Sequence, residues 1–277
     1  MNFSQKLRNA CHRNNSMLCI GLDPDPQYMP PDIDVFEFNR SIIDATADLV
    51  CAYKPNFAFY ESMAEDGIDT LRRTIRYIPD NIPIIGDAKR SDIGNTARAY
   101  ARSIFINLGC DATTVNPYLG SDSVEPFIDY RDRGVFILCL TSNSGAKDFQ
   151  MLECSNREPE ARTLYQIVAG RASEWNRYGN VGLVVGATYT KELKSIRRIH
   201  PDIPILIPGV GAQGGNLVNA VKYGVNSSGD GIIINSSRRV LYSSKEGDFA
   251  RAARCEALSL REQINSLRRQ YPSDEEC

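Results

Sequence analysis

Eight short apolar runs recur along the chain, each ending in a polar or glycine-containing tip and leading into an amphipathic segment. They occupy residues 17–23, 52–60, 82–87, 112–118, 134–142, 181–187, 203–208 and 231–235, which places strand tips at 23, 54, 87, 116, 142, 188, 209 and 235. Successive tips are mostly 21 to 33 residues apart, and the single interval of 46 contains a polar excursion over 143–160. Helical spacing is read over 36–50, 61–77, 94–108, 123–131 and 249–269, with a further helix starting only near Pro159. Strands alternating with helices, with no linker between them, predict the α/β class and a closed parallel (β/α)8 barrel. The barrel is expected to span 1–277 as a single domain, ending in a frayed acidic tail at 272–277. An open doubly wound sheet is the competing architecture, but no Gly-x-Gly-x-x-Gly fingerprint follows the first run.

Charge and cysteine usage narrow the function classes. A net charge of −2 and a pI near 5.8 give no support for binding nucleic acid or a membrane surface. The basic pairs at Arg72-Arg73, Arg197-Arg198 and Arg268-Arg269 fall at helical positions and are read as solvated faces. No run is long and apolar enough to span a membrane, and residues 1–15 lack the apolar core of a signal peptide, so a cytoplasmic location is expected. The eight cysteines are scattered without a Cys-x-x-Cys pair, so no disulfide framework is expected. Cys19 and Cys139 sit in strand runs as small hydrophobes. His12 and His200 have no ligand-spaced partner, and no metal site is predicted.

Against this background the segment Asn81 to Thr96 is conspicuous. A buried run, Ile82 to Ile85, delivers Asp87, Lys89 and then Asp92. Residues two apart on a strand share a face, so Asp87 and Lys89 emerge together at the tip. Taken alone, the pattern is equally an exposed loop with Asp92 as a helix N-cap. In a barrel, however, all C-terminal strand ends open on one mouth, where active sites are built. Asp23, Lys54, Asp87 and Lys89 therefore converge, and two carboxylates with two ammonium groups there are mutually neutralising. The structural alternative for Lys54 is a stem packed on aromatic rings with its head in water.

Two later segments have the makings of an anion site. Pro208-Gly-Val-Gly-Ala-Gln-Gly-Gly215, with Gly211 and Gly214, follows the seventh run and leads into a helix, so bare amides there can approach a phosphate. Asn235-Ser-Ser-Arg-Arg239, with Ser237, follows the eighth and brings a guanidinium, Arg238 or Arg239, to the same corner. Loops after strands seven and eight commonly bind phosphate in barrels. Ordinary turn chemistry and a surface arginine are the alternatives; both segments falling in these places favours a small phosphorylated ligand.

Together these segments resemble the orotidine 5′-phosphate decarboxylase family, in its longer prokaryotic form. The matching motifs are Gly21-Leu-Asp23, Lys54-Pro-Asn-Phe-Ala-Phe-Tyr-Glu61, the whole of Gly86 to Thr96, Asn116-Pro-Tyr118, Leu140-Thr-Ser-Asn143, Pro208 to Gly215, and Asn235-Ser-Ser-Arg238. The resemblance implies conversion of orotidine 5′-monophosphate to UMP and CO2 in pyrimidine biosynthesis, with no metal or organic cofactor. It implies that Asp23 binds the ribose hydroxyls, with Lys54 beside it, and that Asp87 faces the substrate carboxylate. Lys89 is then the proton donor to C6, Ser142 and Gln213 contact the pyrimidine, Gln213 also reaches the phosphate region, and Arg238 holds the phosphate. Asp92 and Thr96 are expected to reach into a partner subunit's site, which implies a homodimer. Ser144 stands where the family pattern has proline.

Related reactions are distinguishable on the residues. Enzymes of the same superfamily that act through Mg²⁺ and an enediolate, such as 3-keto-gulonate 6-phosphate decarboxylase or hexulose-phosphate synthase, share the Asp-x-Lys-x-x-Asp pattern. They are expected to carry an acidic ligand where this chain has Lys54. A Schiff-base aldolase needs a neutral amine, whereas carboxylate neighbours keep Lys89 protonated. A non-catalytic nucleotide sensor on the same barrel has no use for all four charges.

Overall fold

The computed structural model describes residues 1–155, 161–210 and 215–271. Eight parallel strands form one sheet: β1 (Leu18–Leu22), β2 (Ala52–Pro55), β3 (Ile85–Arg90), β4 (Ala112–Val115), β5 (Gly134–Leu140), β6 (Val181–Val185), β7 (Ile205–Ile207) and β8 (Ile232–Ser236). The hydrogen-bonded order is β2-β1-β8-β7-β6-β5-β4-β3. Parallel bridges Tyr53↔Ile84 and Asn56↔Asp87 join the two ends and close the cylinder. The expected (β/α)8, or TIM-type, barrel is the observed fold.

Eleven α-helices are present among the described residues: α1 (Phe3–Asn14), α2 (Val35–Thr46), α3 (Phe57–Glu61), α4 (Ala64–Tyr77), α5 (Gly94–Arg102), α6 (Ser121–Ile128), α7 (Leu164–Trp175), α8 (Thr190–Ile199), α9 (Leu217–Gly224), α10 (Arg238–Leu241) and α11 (Phe249–Gln270). Apolar residues on the outward faces of the strands pack against the helices in one continuous core. A second, smaller core fills the barrel interior with Cys19, Ala52, Ile85, Ala112, Phe136, Val184, Leu206 and Ile233, the inward residues of all eight strands.

Several boundaries differ from those expected from the sequence. Helix α1 was not anticipated: it plugs the barrel end opposite the strand tips, with Phe3 edge-on to Phe136 at 5.8 Å and 88°. Asn2 starts it with a reciprocal capping box to Gln5. The run read as strand over 52–60 is strand only to Pro55 and continues as α3, the helix expected over 61–77 begins at Ala64 as α4, and the one over 94–108 ends in a π turn at Ser103–Asn107. The helix expected to start near Pro159, which lies outside the described residues, is α7, beginning at Leu164.

The polar excursion after β5 is not featureless. A 3-10 turn occupies Ser144–Asp148, and two short antiparallel strands pair Glu153 with Thr163 and Cys154 with Arg162. Gln150 ties this segment back to the barrel. Its Oε1 accepts from the Thr141 amide at 2.8 Å, and its Nε2 donates to Thr141 Oγ1 at 2.9 Å. Asn143 is extended, at φ −73° and ψ 153°, the conformation a following proline imposes. The turn therefore keeps that geometry with Ser144 in the proline position.

Candidate active site

The strand tips surround a cavity of about 530 Å³, within the usual range for a small-molecule site. Its wall includes Asp23, Lys54, Asp87, Lys89, Ser142, Ser237 and Arg238, so seven of the residues singled out from the sequence come together. Asp92 and Thr96 are not part of this wall; Thr96 is exposed, and Asp92 Oδ1 accepts from the Ile93 amide at 2.8 Å. Gln213, Gly211 and Gly214 lie outside the described residues.

At the centre, one carboxylate is held by two cations. Asp87 Oδ2 is 2.7 Å from Lys54 Nζ, and Asp87 Oδ1 is 2.7 Å from Lys89 Nζ. Asp87 is only 7% exposed and Lys54 only 4%, whereas the Lys89 side chain is 47% exposed and open to the cavity. Burial by itself pushes the Asp87 carboxyl up, but the charges of Lys54 and then Lys89 outweigh it and hold the group well below the usual carboxylate range. Burial by itself lowers Lys54; the negative charges of Asp87 and Asp23 outweigh that and hold the ammonium above its usual range. Both groups are therefore charged at neutral pH. The Cys19 thiol beneath them is pushed up to about 12, chiefly by burial, and stays neutral.

A local irregularity in β3 aims these groups. β3 pairs with β4 through Ile85↔Ala112 and Gly86↔Thr113, then next through Arg90↔Val115. Asp87, Ala88 and Lys89 thus lie opposite Thr114 alone, a bulge of the kind that redirects side chains near active sites. Lys89 takes up the kink with φ +48°, a left-handed conformation uncommon outside glycine. The Thr114 hydroxyl donates to Asp87 Oδ1 at 2.8 Å and accepts from the Lys89 amide at 3.0 Å.

Around the rim, Tyr60 donates to the Leu22 carbonyl at 3.0 Å and Tyr242 to the Asp23 carbonyl at 2.7 Å, fixing the β1 tip. β1 and β8 approach closely there, since a Cβ on Gly21 would collide with the Ser237 side chain. Gly186 likewise leaves room for Ser142, whose backbone lies 2.8 Å from where a Cβ would stand. Both arginines line the cavity and differ in their pairing: Arg239 is paired with Glu256 at 2.5 Å, while Arg238 has no carboxylate partner among the described residues.

Reasoning from sequence missed Thr114 and Gln150 and gave no role to Thr141, Asn235 and Ser236, which lie within the motifs it singled out; all five are on the cavity wall. Asp23 Oδ1, Asn235 Oδ1 and Ser236 Oγ are buried there without a protein partner, which suits polar contacts to a ligand. The available signal was polar residues within the C-terminal halves of otherwise apolar strands. No group of three or more His, Cys, Asp or Glu side chains suited to a metal occurs among the described residues.

A closed parallel barrel with paired acid and ammonium groups at the mouth formed by its strand tips has the architecture of a (β/α)8-barrel enzyme. Residues 16–253 match the orotidine 5′-phosphate decarboxylase / HUMPS family. The orotidine 5′-phosphate decarboxylase of Dehalococcoides mccartyi is 52% identical over 271 residues, covering 98% of this chain and all of that protein. The structure of Leishmania donovani OMP decarboxylase superposes with a TM-score of 0.85 at 40% identity, covering 97% of this chain and 99% of that one. The structure of Leishmania donovani UMP synthase gives a TM-score of 0.87 at 42% identity, and there this chain spans 57% of the longer protein. The chain belongs to the orotidine 5′-phosphate decarboxylase / HUMPS family.

Proposed function

We propose that the cavity decarboxylates orotidine 5′-phosphate to UMP and CO2, a step of pyrimidine biosynthesis, with Lys89 as the proton donor. The C6–carboxylate bond breaks, CO2 departs, and the electron pair remains on C6. The Lys89 ammonium stabilises that charge and transfers a proton to the carbon, and solvent then reprotonates the amine. The observation that carries this reading is Asp87 held between Lys54 and Lys89 at 2.7 Å each, with Lys89 on the open side. Fixed charges aimed at developing charge are often the largest contribution to catalysis. Asp87, kept ionised by both lysines, faces the substrate carboxylate as a second negative charge, and its repulsion is relieved when CO2 leaves.

Asp23 takes the ribose hydroxyls, a role supported by its buried, unpartnered Oδ1 and its fixed main chain. Ser142 and Gln213 take the pyrimidine, and Arg238, Ser237, Gly211 and Gly214 take the phosphate. Remote phosphate binding supplies energy that organises the reacting end. The reaction as assigned uses no metal or organic cofactor.

The active form is a homodimer in which Asp92 and Thr96 complete the partner's site. Support comes from apolar exposure beside them: Ile93 is 56% exposed and Tyr118 79%, on the neighbouring β3–α5 and β4–α6 connections. The whole chain works as one barrel domain in the cytoplasm; no helix among the described residues is long and apolar enough to cross a membrane. The test is to follow loss of orotate absorbance from orotidine 5′-phosphate in buffer containing EDTA. Turnover is expected. Loss of activity that Mg²⁺ restores would point instead to the enediolate chemistry of the related enzymes.

A further inference from the structure

We infer that Thr114 is a positioning residue that sets the aim of the Lys89 ammonium, through a single hydroxyl inserted into the β3 bulge. The inference rests on Lys89 being the proton donor. Where the β3–β4 ladder is interrupted, three residues of β3 face one residue of β4. Within that interruption the Lys89 amide donates to the Thr114 Oγ1 at 3.0 Å. Its one proton is directed to Asp87 Oδ1 at 2.8 Å, the same oxygen that Lys89 Nζ approaches at 2.7 Å.

The three contacts therefore close a small ring: Lys89 main chain to Thr114 hydroxyl, hydroxyl to Asp87 carboxylate, carboxylate to Lys89 side chain. Thr114 is itself 1% exposed, so water does not readily substitute for its hydroxyl. Lys89 sits at φ +48°, a backbone state that a non-glycine residue keeps only when its surroundings hold it. A β-branched residue limits its own χ1 freedom, which suits threonine to holding one hydroxyl direction. Without the hydroxyl, the bulge is free to relax, and the ammonium swings relative to Asp87 while the ribose and phosphate contacts on β1 and β8 are untouched.

The test compares Thr114→Val, which keeps the shape and removes the hydroxyl, with Thr114→Ser, which keeps the hydroxyl. Misplacing a reacting group by about 1 Å can cost roughly 100-fold in rate. Thr114→Val is expected to lower kcat by about 10- to 100-fold with KM for orotidine 5′-phosphate within about threefold of wild type. Thr114→Ser is expected to restore most of kcat. A Val variant with kcat within twofold of wild type overturns the inference, as does a Ser variant as impaired as Val. A parallel rise in KM and fall in kcat also overturns it, because that marks general damage to the site. Should Val fail to fold, Thr114→Ala carries the same comparison, and failure of both to fold assigns the hydroxyl to stability alone and overturns the proposal. Lys89→Ala is run alongside: if it turns over normally, the proton-donor assignment itself fails, an outcome separate from failure at Thr114.

Discussion

Replacing Asp87 with Asn keeps the side chain's shape and removes the negative charge that pairs with both lysines. At the 2.7 Å separation of Lys54 Nζ and Asp87 Oδ2, the attraction is about 6 kcal/mol at an effective dielectric near 20. Much of that offsets the desolvation of two groups that are each under a tenth exposed. Removing one member of such a pair costs about 3–5 kcal/mol, because the survivor is left buried and uncompensated. Asp87→Asn leaves buried Lys54 with the Asp23 charge but without its hydrogen-bonded carboxylate, and it leaves two ammonium groups flanking a neutral side chain, so its cost belongs near 4 kcal/mol, or roughly 8–16 °C in Tm. Lys54→Met leaves Asp87 with Lys89 and the Thr114 hydroxyl, so its loss should be smaller, about 2–3 kcal/mol. Because the two changes share one interaction, the double variant should be more stable than the summed losses imply, by about 2 kcal/mol.

Urea unfolding followed by circular dichroism, on wild type, both single variants and the double variant, gives the cycle directly. The pH dependence carries the same signature. Asp87 is held below its ordinary value, so its contribution is fully present above the unfolded value near 3.8 and is lost as pH falls from there through the depressed one. The gap between wild type and Asp87→Asn should therefore be constant from pH 7 to about 5 and close only in stronger acid. Single variants within about 1 kcal/mol of wild type, or strictly additive losses, would refute the reasoning that the pair is a buried, coupled unit.

Two further perturbations probe the rim. Arg238→Ala should raise KM for orotidine 5′-phosphate by about 10- to 100-fold, the worth of a charge-assisted contact, while Arg239→Ala, which removes the pair to Glu256, should leave KM nearly unchanged; steady-state kinetics on both variants checks the difference. Mixing inactive Lys89→Ala and Asp92→Asn chains should regenerate activity in verified heterodimers, since one of their two sites then carries both native groups; heterodimers that remain inactive count against a shared site.

The barrel was legible because its strands are written as continuous apolar runs at regular intervals, and a parallel sheet buried on both faces demands that pattern. Asp23, Lys54, Asp87 and Lys89 were legible for the same reason: charge placed directly after such a run has only the barrel mouth to occupy. Helix α1 was not, because it is polar on most sides and contributes only Phe3 and Ala10 as buried residues. Thr114 was hidden within Ala112-Thr-Thr-Val115, where threonine is an ordinary strand former and nothing local announces its contacts with Asp87 and Lys89. The bulge that gives Thr114 its partners arises from a register shift between two strands, which no single segment encodes. Arg238 and Arg239 are adjacent and chemically identical, and α11, by placing Glu256 against Arg239, gives them different surroundings.

The most direct measurement is single-turnover decarboxylation by Lys89→Ala, with UMP binding measured on the same preparation by calorimetry. A fall of at least about 1,000-fold in the chemical step, with the protein folded and UMP still bound, is the predicted result. Near-normal turnover in that variant would contradict the account, because the proton delivered to C6 would then come from elsewhere.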